Sequence, residues 1–600
     1  MPVAAWDPTW YSGRFDSVAI LHCVALLVTV WISQFESLKG NWVSDDWDGI
    51  AKLTGKFQHI GHPTTAPSSS GGLPAPGSIA GGSLWNDIVS WVRWQLCKTP
   101  NPSYNKPLDA AKPDGPRDTR QFIPSPLKHH RAQLIVMSGL VLLVYTFLSS
   151  IATPDIAFLA TLLWTVHPVC CQTVTWISGQ GYLTAAFFMF AGLNYALSYA
   201  SALPSLSRTE QVALLGGYGV LQWLAFRSQF TAIAAVVILT YLKLWPFAAV
   251  AGVIACIGAY RTIKEVVSVR AATFKQQQMG ASTQFHWRKL VVVGKTLYYY
   301  TKLAFFPKRL GLYHTYGYHY PLPWIEWEDK YFWAGLAIGL AMLAGIIWAP
   351  SALVAFGCLW WLAFIVFVLN LITVHQFVAE RYVWLPVLGL CLIVAAYAPA
   401  WLFWAAFGVL IMRTWAHLPT YANELKFYQS NIWNHETSEV AFGNLGVTYL
   451  RLGHTGTAVD TWNVGANVNN DYDVNWYNLY SVFRGQGLHH EARQYLLKAL
   501  SCSTCHFPKE WRKELETLEM EIAWQKAMAT VPPEQRLAWQ NRHLTESLKH
   551  PEMPHRDYWE AKHKRVKEEM AKATAVPAAG PAQLVSVAPM PPRELLGVRR

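Results

Sequence analysis

Charged residues are scarce in this sequence. Asp, Glu, Lys and Arg make up 14% of its 600 residues, whereas an average soluble protein has about 25%. Hydrophobic residues reach 52%, and 30 residues are tryptophan. This composition excludes an ordinary soluble enzyme and indicates a membrane protein. From about residue 423 onward charged residues become frequent and long apolar runs stop, so a membrane region is followed by a more polar one.

The sequence also lacks the patterns of a disulfide framework, a nucleic-acid-binding surface and a cleaved signal peptide. The nine cysteines include only two close pairs, Cys170/Cys171 and Cys502/Cys505, which excludes a disulfide framework. The net charge is +12, but no cluster of Lys and Arg is interleaved with aromatic residues, so nucleic acid is not an expected partner. The first apolar run, residues 18–32, lacks a basic leader and a cleavage site, which predicts a retained helix and not a cleaved signal peptide.

Apolar runs recur along the first 414 residues, which we interpret as a polytopic membrane domain. A span needs about 17 to 25 such residues, allowing for tilt. About eleven transmembrane helices are predicted, at residues 16–34, 132–150, 154–167, 181–201, 210–226, 229–243, 245–261, 331–349, 351–375, 382–397 and 398–414. The segment 288–306 is interrupted by lysines, and we expect it to be an interfacial helix.

An odd number of crossings places the two ends of the chain on opposite sides of the membrane. Long loops escape the positive-inside rule, and the remaining loop charges place the N-terminus in the cytoplasm. The long loop 35–131 and the C-terminal third are then external. The expected location is a bacterial inner membrane with a periplasmic C-terminal domain, or a eukaryotic endoplasmic reticulum membrane with a lumenal one.

The C-terminal third contains an internal repeat. The segments AFGNLGVTYLRLGHTGTAVDTW and VNWYNLYSVFRGQGLHHEARQY align with an offset of 34 residues, which is the tetratricopeptide period. The alignment superimposes Leu445 on Leu479, Gly453 on Gly487 and Ala458 on Ala492. It predicts an α-solenoid at 415–530 that offers a surface to a protein partner. A charged helical extension at 531–573 and a Pro/Ala-rich tail at 574–600 are expected to follow.

Candidate site residues lie where helices are expected to reach the external side. Asp45 and Asp46 follow the first apolar helix, and adjacent carboxylates at a membrane surface serve as a general base or bind a divalent cation. A solvated acidic loop is the alternative. Ionisable groups near an apolar core usually pair or line a cavity. The other groups of this kind are His167, Arg227, Lys302, Glu380 and Arg381. For these, a purely structural charge network is the alternative.

Residues Cys502 to His506 read CSTCH, which is the C-x-x-C-H pattern of covalent c-type haem attachment. The alternatives for Cys502, Cys505 and His506 are a short-range disulfide or two free thiols. Metal binding is less favoured because only three ligands are local.

Several pieces of the sequence, taken in order, resemble a known group. They are DDWDGI, LKHHRAQLIVMSGLVLLVY, LLWTVHPVCCQTVTWISGQGYLTAAFF, GKTLYYYTKLAFFPKRLGLY and AERYVWLPVLG, followed by the repeats. The set resembles the multispanning GT-C type glycosyltransferases with C-terminal tetratricopeptide repeats, including the transmembrane O-mannosyltransferases and their bacterial relatives. The resemblance implies transfer of a sugar from a polyprenyl-phosphate carrier to a protein or glycan acceptor outside the cytoplasm. Asp45 or Asp46 would then deprotonate the acceptor hydroxyl.

The chain departs from that family pattern where the family carries charge. Neutral residues stand there instead, namely Cys170, Cys171, Gln172, Gly179, Gln180, Gly181 and Tyr182, and a lysine expected within 227–230 is absent. A site that holds a lipid phosphate without its cations loses several kcal/mol of transition-state stabilisation, although Arg227, Lys302, Lys308 and Arg381 could substitute.

The sequence therefore favours a membrane-anchored scaffold or accessory subunit of a membrane protein complex, built on a transferase-like body that has lost much of its active-site charge. The alternative is an active glycosyltransferase, for which a divalent cation would be an expected cofactor. The expected partners are membrane lipid, a protein bound by the repeats and, for an active enzyme, a polyprenyl-phosphate sugar.

Overall fold

The chain was analysed as a computed structural model. It describes residues 17–44, 92, 96–100, 102, 122–274, 288–312, 314, 329–369, 378–435, 438–502, 505–549 and 556–575. Most of the predicted external loop and the tail beyond residue 575 therefore lie outside the described residues. The described part is almost entirely helical, which confirms the all-α class. The exception is a short antiparallel ribbon of β1 (Lys98–Pro100) and β2 (Phe122–Pro124).

The helices of the apolar region follow one another closely. They are α1 (Ser17–Gln34), α2 (Pro126–Ser149), α3 (Pro154–Thr165), α4 (Cys170–Thr175), α5 (Gln180–Tyr199), α6 (Arg208–Ser228), α7 (Ala234–Tyr241), α8 (Trp245–Phe274), α9 (Arg288–Phe305), α10 (Lys330–Trp348), α11 (Ala352–Ile365), α12 (Glu380–Val383), α13 (Val387–Tyr397) and α14 (Ala400–His417).

The more polar region is helical as well. Its helices are α15 (Glu424–Asn434), α16 (Glu439–Arg451), α17 (Thr455–Val468), α18 (Asp473–Gly485), α19 (His489–Ser501), α20 (Pro508–Ala529), α21 (Arg536–Ser547) and α22 (Arg556–Ala575). The chain divides into two compact units at residue 508, so helices α15 to α19 belong to the same unit as the apolar helices. In the second unit, Leu544, Trp559 and Val566 form a small core.

Three described helices are long and apolar enough to cross a membrane, where eleven were predicted. They span Ser17–Lys39, Pro126–Ser149 and Lys330–Trp348. Shorter apolar helices occupy Pro154–Thr165, Phe230–Tyr241, Trp245–Gly258, Ala352–Val368 and Val387–Tyr397. The prediction of eleven spans failed because hydropathy depends on composition and does not detect breaks in the helix. Pro386, for example, separates α12 from α13 inside the predicted span 382–397.

Helix starts follow local capping chemistry. Ser125 caps α2 and Thr153 caps α3, each through a side-chain oxygen that accepts a backbone N–H, and a proline follows in both cases. At α6, Ser207 and Glu210 form a reciprocal capping box. These starts are therefore encoded in adjacent residues.

Buried indoles support the break between α12 and α13. The Nε1–H of Trp164 donates to the carbonyl of Trp384 at 2.6 Å, and that of Trp360 donates to the carbonyl of Leu385 at 2.9 Å. Each indole thus satisfies a carbonyl near Pro386 while its ring fills the core.

Two pairs of helices touch backbone to backbone at glycines. A Cβ placed on Gly335 of α10 would overlap the carbonyl oxygen of Gly294 in α9. Gly357 of α11 and Gly389 of α13 face each other in the same way. The segment predicted as an interfacial helix is therefore α9, which packs closely against α10. Whether α9 lies at a lipid interface stays a prediction.

Helices α16 to α19 form two hairpins with the same spacing. Helices α16 and α18 begin 34 residues apart, as do α17 and α19. Gly453 and Gly487 occupy the two turns with φ of +82° and +77°, a conformation that glycine adopts without strain. Ala458 and Ala492 are fully buried. The spacing of the sequence alignment is thus also the spacing of the helices.

The glycine crossing of α9 and α10 can be tested by Gly335→Ala. The added methyl cannot be accommodated without moving α10, so we expect a loss of about 1–3 kcal/mol in unfolding free energy. Thermal unfolding of the detergent-solubilised protein measures it. Gly408→Ala in α14 is the control, because nothing lies within 4 Å of its Cβ position. Equal midpoints for the two variants would contradict the close crossing.

Candidate functional site

The acidic residue of the AERYVWLP stretch is completely buried at the start of α12. The backbone N–H of Gly311 donates to Oε1 of Glu380 at 2.5 Å, and Nε2 of His314 lies 3.3 Å from the same oxygen. Nε2 of His417, in the last turn of α14, lies 3.7 Å from Oε2, which is an electrostatic contact too long for a hydrogen bond. The carboxylate thus has partners from two distant parts of the chain.

These partners decide the ionisation state of Glu380. Burial opposes the charged form, but the imidazoles of His314 and His417 outweigh it and lower the pKa of Glu380 to about 2. Glu380 is therefore a carboxylate at neutral pH. It is not poised as a general base, because a base of this strength holds a proton poorly near pH 7.

The neighbouring cation is enclosed by aromatic rings. The guanidinium of Arg381 lies 4.7 Å from the ring centre of Tyr382 and 5.5 Å from that of Trp176, and it donates to the hydroxyl of Tyr382 at 3.3 Å. Its backbone N–H donates to Oε1 of Gln172 at 2.8 Å. Only 5% of Arg381 is exposed. Its charge is therefore satisfied inside the protein.

The polar residues between α3 and α5 have structural contacts. Nε2 of His167 donates to the carbonyl of Ala304 at 2.9 Å, and its Nδ1 accepts the N–H of Val169 at 3.3 Å. Both ring nitrogens are thus in use. The thiol of Cys170 donates to the carbonyl of Trp164 at 3.3 Å. The His-Pro step and the cysteines that follow hold a tight turn between helices.

The remaining candidates are not gathered around Glu380. Arg227 is half-buried in the last turn of α6, and the carbonyl of the next residue, Ser228, lies close to Gly181. Lys302 is exposed on α9. Asp45 and Asp46 lie outside the described residues. The structure thus brings Glu380 and Arg381 together with the 172–182 turn, and it leaves Lys302 at the surface.

A second group of contacts joins the same region to α15. The backbone N–H of Leu312 donates to Oδ1 of Asn431 at 2.6 Å, and the side chain of Asn434 donates to the carbonyl of Leu310 at 2.8 Å. The rings of His314 and His435 are 4.3 Å apart. We call this group the joint. It consists of Leu310, Gly311, Leu312 and His314 together with Glu380, His417, Asn431, Asn434 and His435.

The joint leaves no room for a larger residue at its centre. A Cβ on Gly311 would lie 2.8 Å from Oδ1 of Asn431 and 3.3 Å from the ring of His435. Burial lowers the pKa of His435, so this imidazole is neutral. Sequence reasoning found Glu380 but missed His314, His417 and Asn431. The only sequence signal for His417 was its place at the end of an apolar run.

The CSTCH segment is packed against the hairpin that precedes it. The thiol of Cys502 donates to the carbonyl of Lys498 at 3.2 Å, and both Cys502 and Cys505 are buried. His506 contacts the buried carboxylate of Asp473 through Nδ1 at 2.8 Å and through its backbone N–H at 2.6 Å. Burial, with the nearby carboxylates of Asp473 and Asp471, raises the pKa of Cys502 to about 12.

This arrangement does not fit a haem site. Thioether attachment needs two sulfurs that face the porphyrin, whereas the Cys502 thiol is turned to backbone within a packed loop. Haem attachment at Cys502 and Cys505 stays a prediction. Among the residues that the structure describes, no cluster of three or more His, Cys, Asp or Glu side chains could hold a metal ion.

Comparisons of the chain with family models, with curated proteins and with solved structures found no match.

The Glu380 carboxylate can be tested by Glu380→Gln, which keeps the shape and removes the charge. We expect a loss of about 1–3 kcal/mol in stability at neutral pH, typical of a hydrogen bond to a charged group. Because the pKa in the folded state is lowered, the contribution is complete above the ordinary value of 4.5 and is lost as pH falls toward about 2. Thermal unfolding between neutral pH and acid measures both effects.

The matched control is Glu491→Gln, at an exposed position of α19. It should change neither the stability nor its acid dependence. If the acid dependence of Glu380→Gln matched that of the native chain, the Glu380 carboxylate would not be the group responsible.

The buried thiol of Cys502 can be tested by alkylation. Because the thiolate is the reactive form, we expect maleimide to label Cys502 at about pH 7.5 at least roughly tenfold more slowly in the folded protein than after denaturation. Peptide mapping by mass spectrometry measures the rates. Equal rates would contradict the packed loop, and a haem adduct on the peptide that contains both cysteines would establish attachment.

Proposed function

We propose that the protein is a membrane-anchored scaffold or accessory subunit of a membrane protein complex, in which the repeat hairpins bind a protein partner. One observation carries the proposal. The charges that a transferase would direct at its substrate, at Glu380 and Arg381, each have their contacts inside the protein, and Glu380 holds the joint.

The contacts favour a structural role for both groups. Glu380 accepts the N–H of Gly311, and the guanidinium of Arg381 is enclosed by Tyr382 and Trp176. A substrate phosphate that drew Arg381 away from Tyr382 and Trp176 would have to offset the loss of these cation–π contacts. The Gln172 side chain, where the family pattern carries charge, instead accepts the backbone N–H of Arg381.

The repeat hairpins supply the partner surface. We interpret α16/α17 and α18/α19 as two tetratricopeptide units, because their helices and their left-handed glycines recur with the 34-residue period. Asn444 and Asn478 occupy equivalent, partly exposed positions on the first helices of the two units. Such first helices line the concave face of repeat arrays, where extended partners bind.

Exposed tryptophans support the membrane assignment. Trp333 and Trp348 lie near the two ends of α10, and Trp401 and Trp415 lie near the two ends of α14. The members of each pair are about 21 to 23 Å apart along their helix at about 1.5 Å per residue. Tryptophan is enriched at both membrane interfaces. We propose a multi-pass membrane protein with its repeat hairpins on the external side.

The partner surface is tested by Asn444→Ala with Asn478→Ala in one chain. We expect the native chain, extracted gently from membranes, to purify with a stoichiometric protein partner, and the double variant to lose most of that partner while it folds normally. Quantitative mass spectrometry of the purified complex measures the ratio. The control is Asp460→Ala with Gln494→Ala, which removes two exposed side chains at equivalent positions of the second helices.

Two outcomes would contradict the proposal. The native chain could purify alone from its own membranes, or the purified chain could transfer sugar from a polyprenyl-phosphate donor. The second result would establish the glycosyltransferase alternative, with Asp45→Asn and Asp46→Asn as the decisive variants.

A further inference from the structure

A cavity lies beside the joint and is not part of it. It has a volume of about 390 Å³ and is formed by α3, the end of α9, α13 and α14. Its wall is mainly apolar and includes Leu163, Leu390, Val394, Ala406 and Leu410. The volume falls in the range of small-molecule sites, about 300–1,000 Å³. If a methylene group takes about the 30 Å³ of a water molecule, roughly a dozen fit.

One rim of the cavity is positively charged. Lys308 and Arg413 belong to its lining, and none of the described residues that line it is Asp or Glu. Arg413 donates to the carbonyls of Lys308 at 2.6 Å and Pro307 at 3.3 Å. A guanidinium has five N–H donors, so these two bonds leave donors for an anion. Lys308 is exposed.

The rim has the composition of a membrane interface. Phe305 is 51% exposed and Phe306 is 73% exposed, and both line the cavity directly before Pro307 and Lys308. Trp415, two residues beyond Arg413, is also exposed. Aromatic rings together with Lys and Arg are typical of the headgroup level of a bilayer. The apolar cavity then faces the acyl chains of the bilayer lipids, and Lys308 and Arg413 lie at the level of the lipid phosphates.

Among the described residues that line the cavity, none is Asp or Glu and the imidazole is already bonded at both nitrogens. His167 is the one titratable ring in it, and both of its nitrogens are bonded to backbone. Glu380 and Arg381 do not line it. The remaining members are apolar, cationic or a thiol. This apolar and cationic lining suits the binding of a lipid.

We propose that this cavity binds one anionic glycerophospholipid of the bilayer. An acyl chain occupies the space between α13 and α14, and the lipid phosphate forms ion pairs with Lys308 and Arg413. Burial of the acyl chain supplies most of the affinity. Lys308 and Arg413 supply the preference for an anionic headgroup, because basic residues next to a membrane attract anionic lipid.

The test uses the full chain in detergent with defined lipids. Native mass spectrometry measures the lipid retained after addition of phosphatidylglycerol, phosphatidylcholine or a polyprenyl monophosphate. We expect one phosphatidylglycerol per chain, retained roughly tenfold more strongly than phosphatidylcholine. Ala406→Trp should fill the cavity and abolish retention. Lys308→Gln, an exposed change that leaves the fold intact, should remove most of the preference for phosphatidylglycerol.

The control variant is Lys330→Gln, which removes the same charge from an exposed lysine at the start of α10, outside the cavity. It should retain phosphatidylglycerol like the native chain. Equal retention of the anionic and zwitterionic lipids would overturn the proposal, as would unchanged retention in Lys308→Gln. Stronger retention of polyprenyl monophosphate than of phosphatidylglycerol would overturn it too, because the cavity would then serve a glycosyl donor.

Discussion

The buried carboxylate of Glu380 accepts the N–H of Gly311 and lies against two imidazoles, from His314 and His417. An isolated charge in this position would be expelled by its desolvation penalty, so it persists only because these groups surround it. The same contacts fix the 310–312 backbone, where the N–H of Leu312 donates to Oδ1 of Asn431. One ionised side chain therefore contributes to the attachment of α15, together with the apolar cluster that Phe427 and Tyr428 form with Trp176 and Leu312.

Neutral residues of the 170–182 stretch make hydrogen bonds to backbone groups around them. A charge at position 172 would sit beside the backbone N–H of Arg381 and within a fully buried shell, where Gln172 makes a hydrogen bond without a desolvation penalty of that size. Cys170 bonds to a carbonyl of the preceding helix. These contacts make the turn a packing element of the protein interior.

The parts of the fold that could be predicted are those encoded locally. The repeat hairpins were found from sequence because Gly453 and Gly487 must adopt positive φ and because Ala458 and Ala492 stand at crowded crossings. The spans were overcounted because hydropathy measures composition and not helix continuity. At the site, Glu380 and Arg381 stood out as charges near apolar runs. Their partners did not, because Gly311 and Gln172 are 69 and 209 residues away along the chain.

The cavity and the joint both include residues of one short segment of the chain. Pro307 and Lys308 form the rim of the cavity, and Leu310 and Gly311 belong to the joint two residues later. Arg413 holds the rim through two backbone carbonyls, so the segment has little freedom to move independently at its two ends. A ligand that binds the folded form stabilises it in proportion to RT ln(1 + [L]/Kd). Under the proposal that a lipid binds at Lys308, that lipid would stabilise the folded form in which the 310–312 segment holds α15.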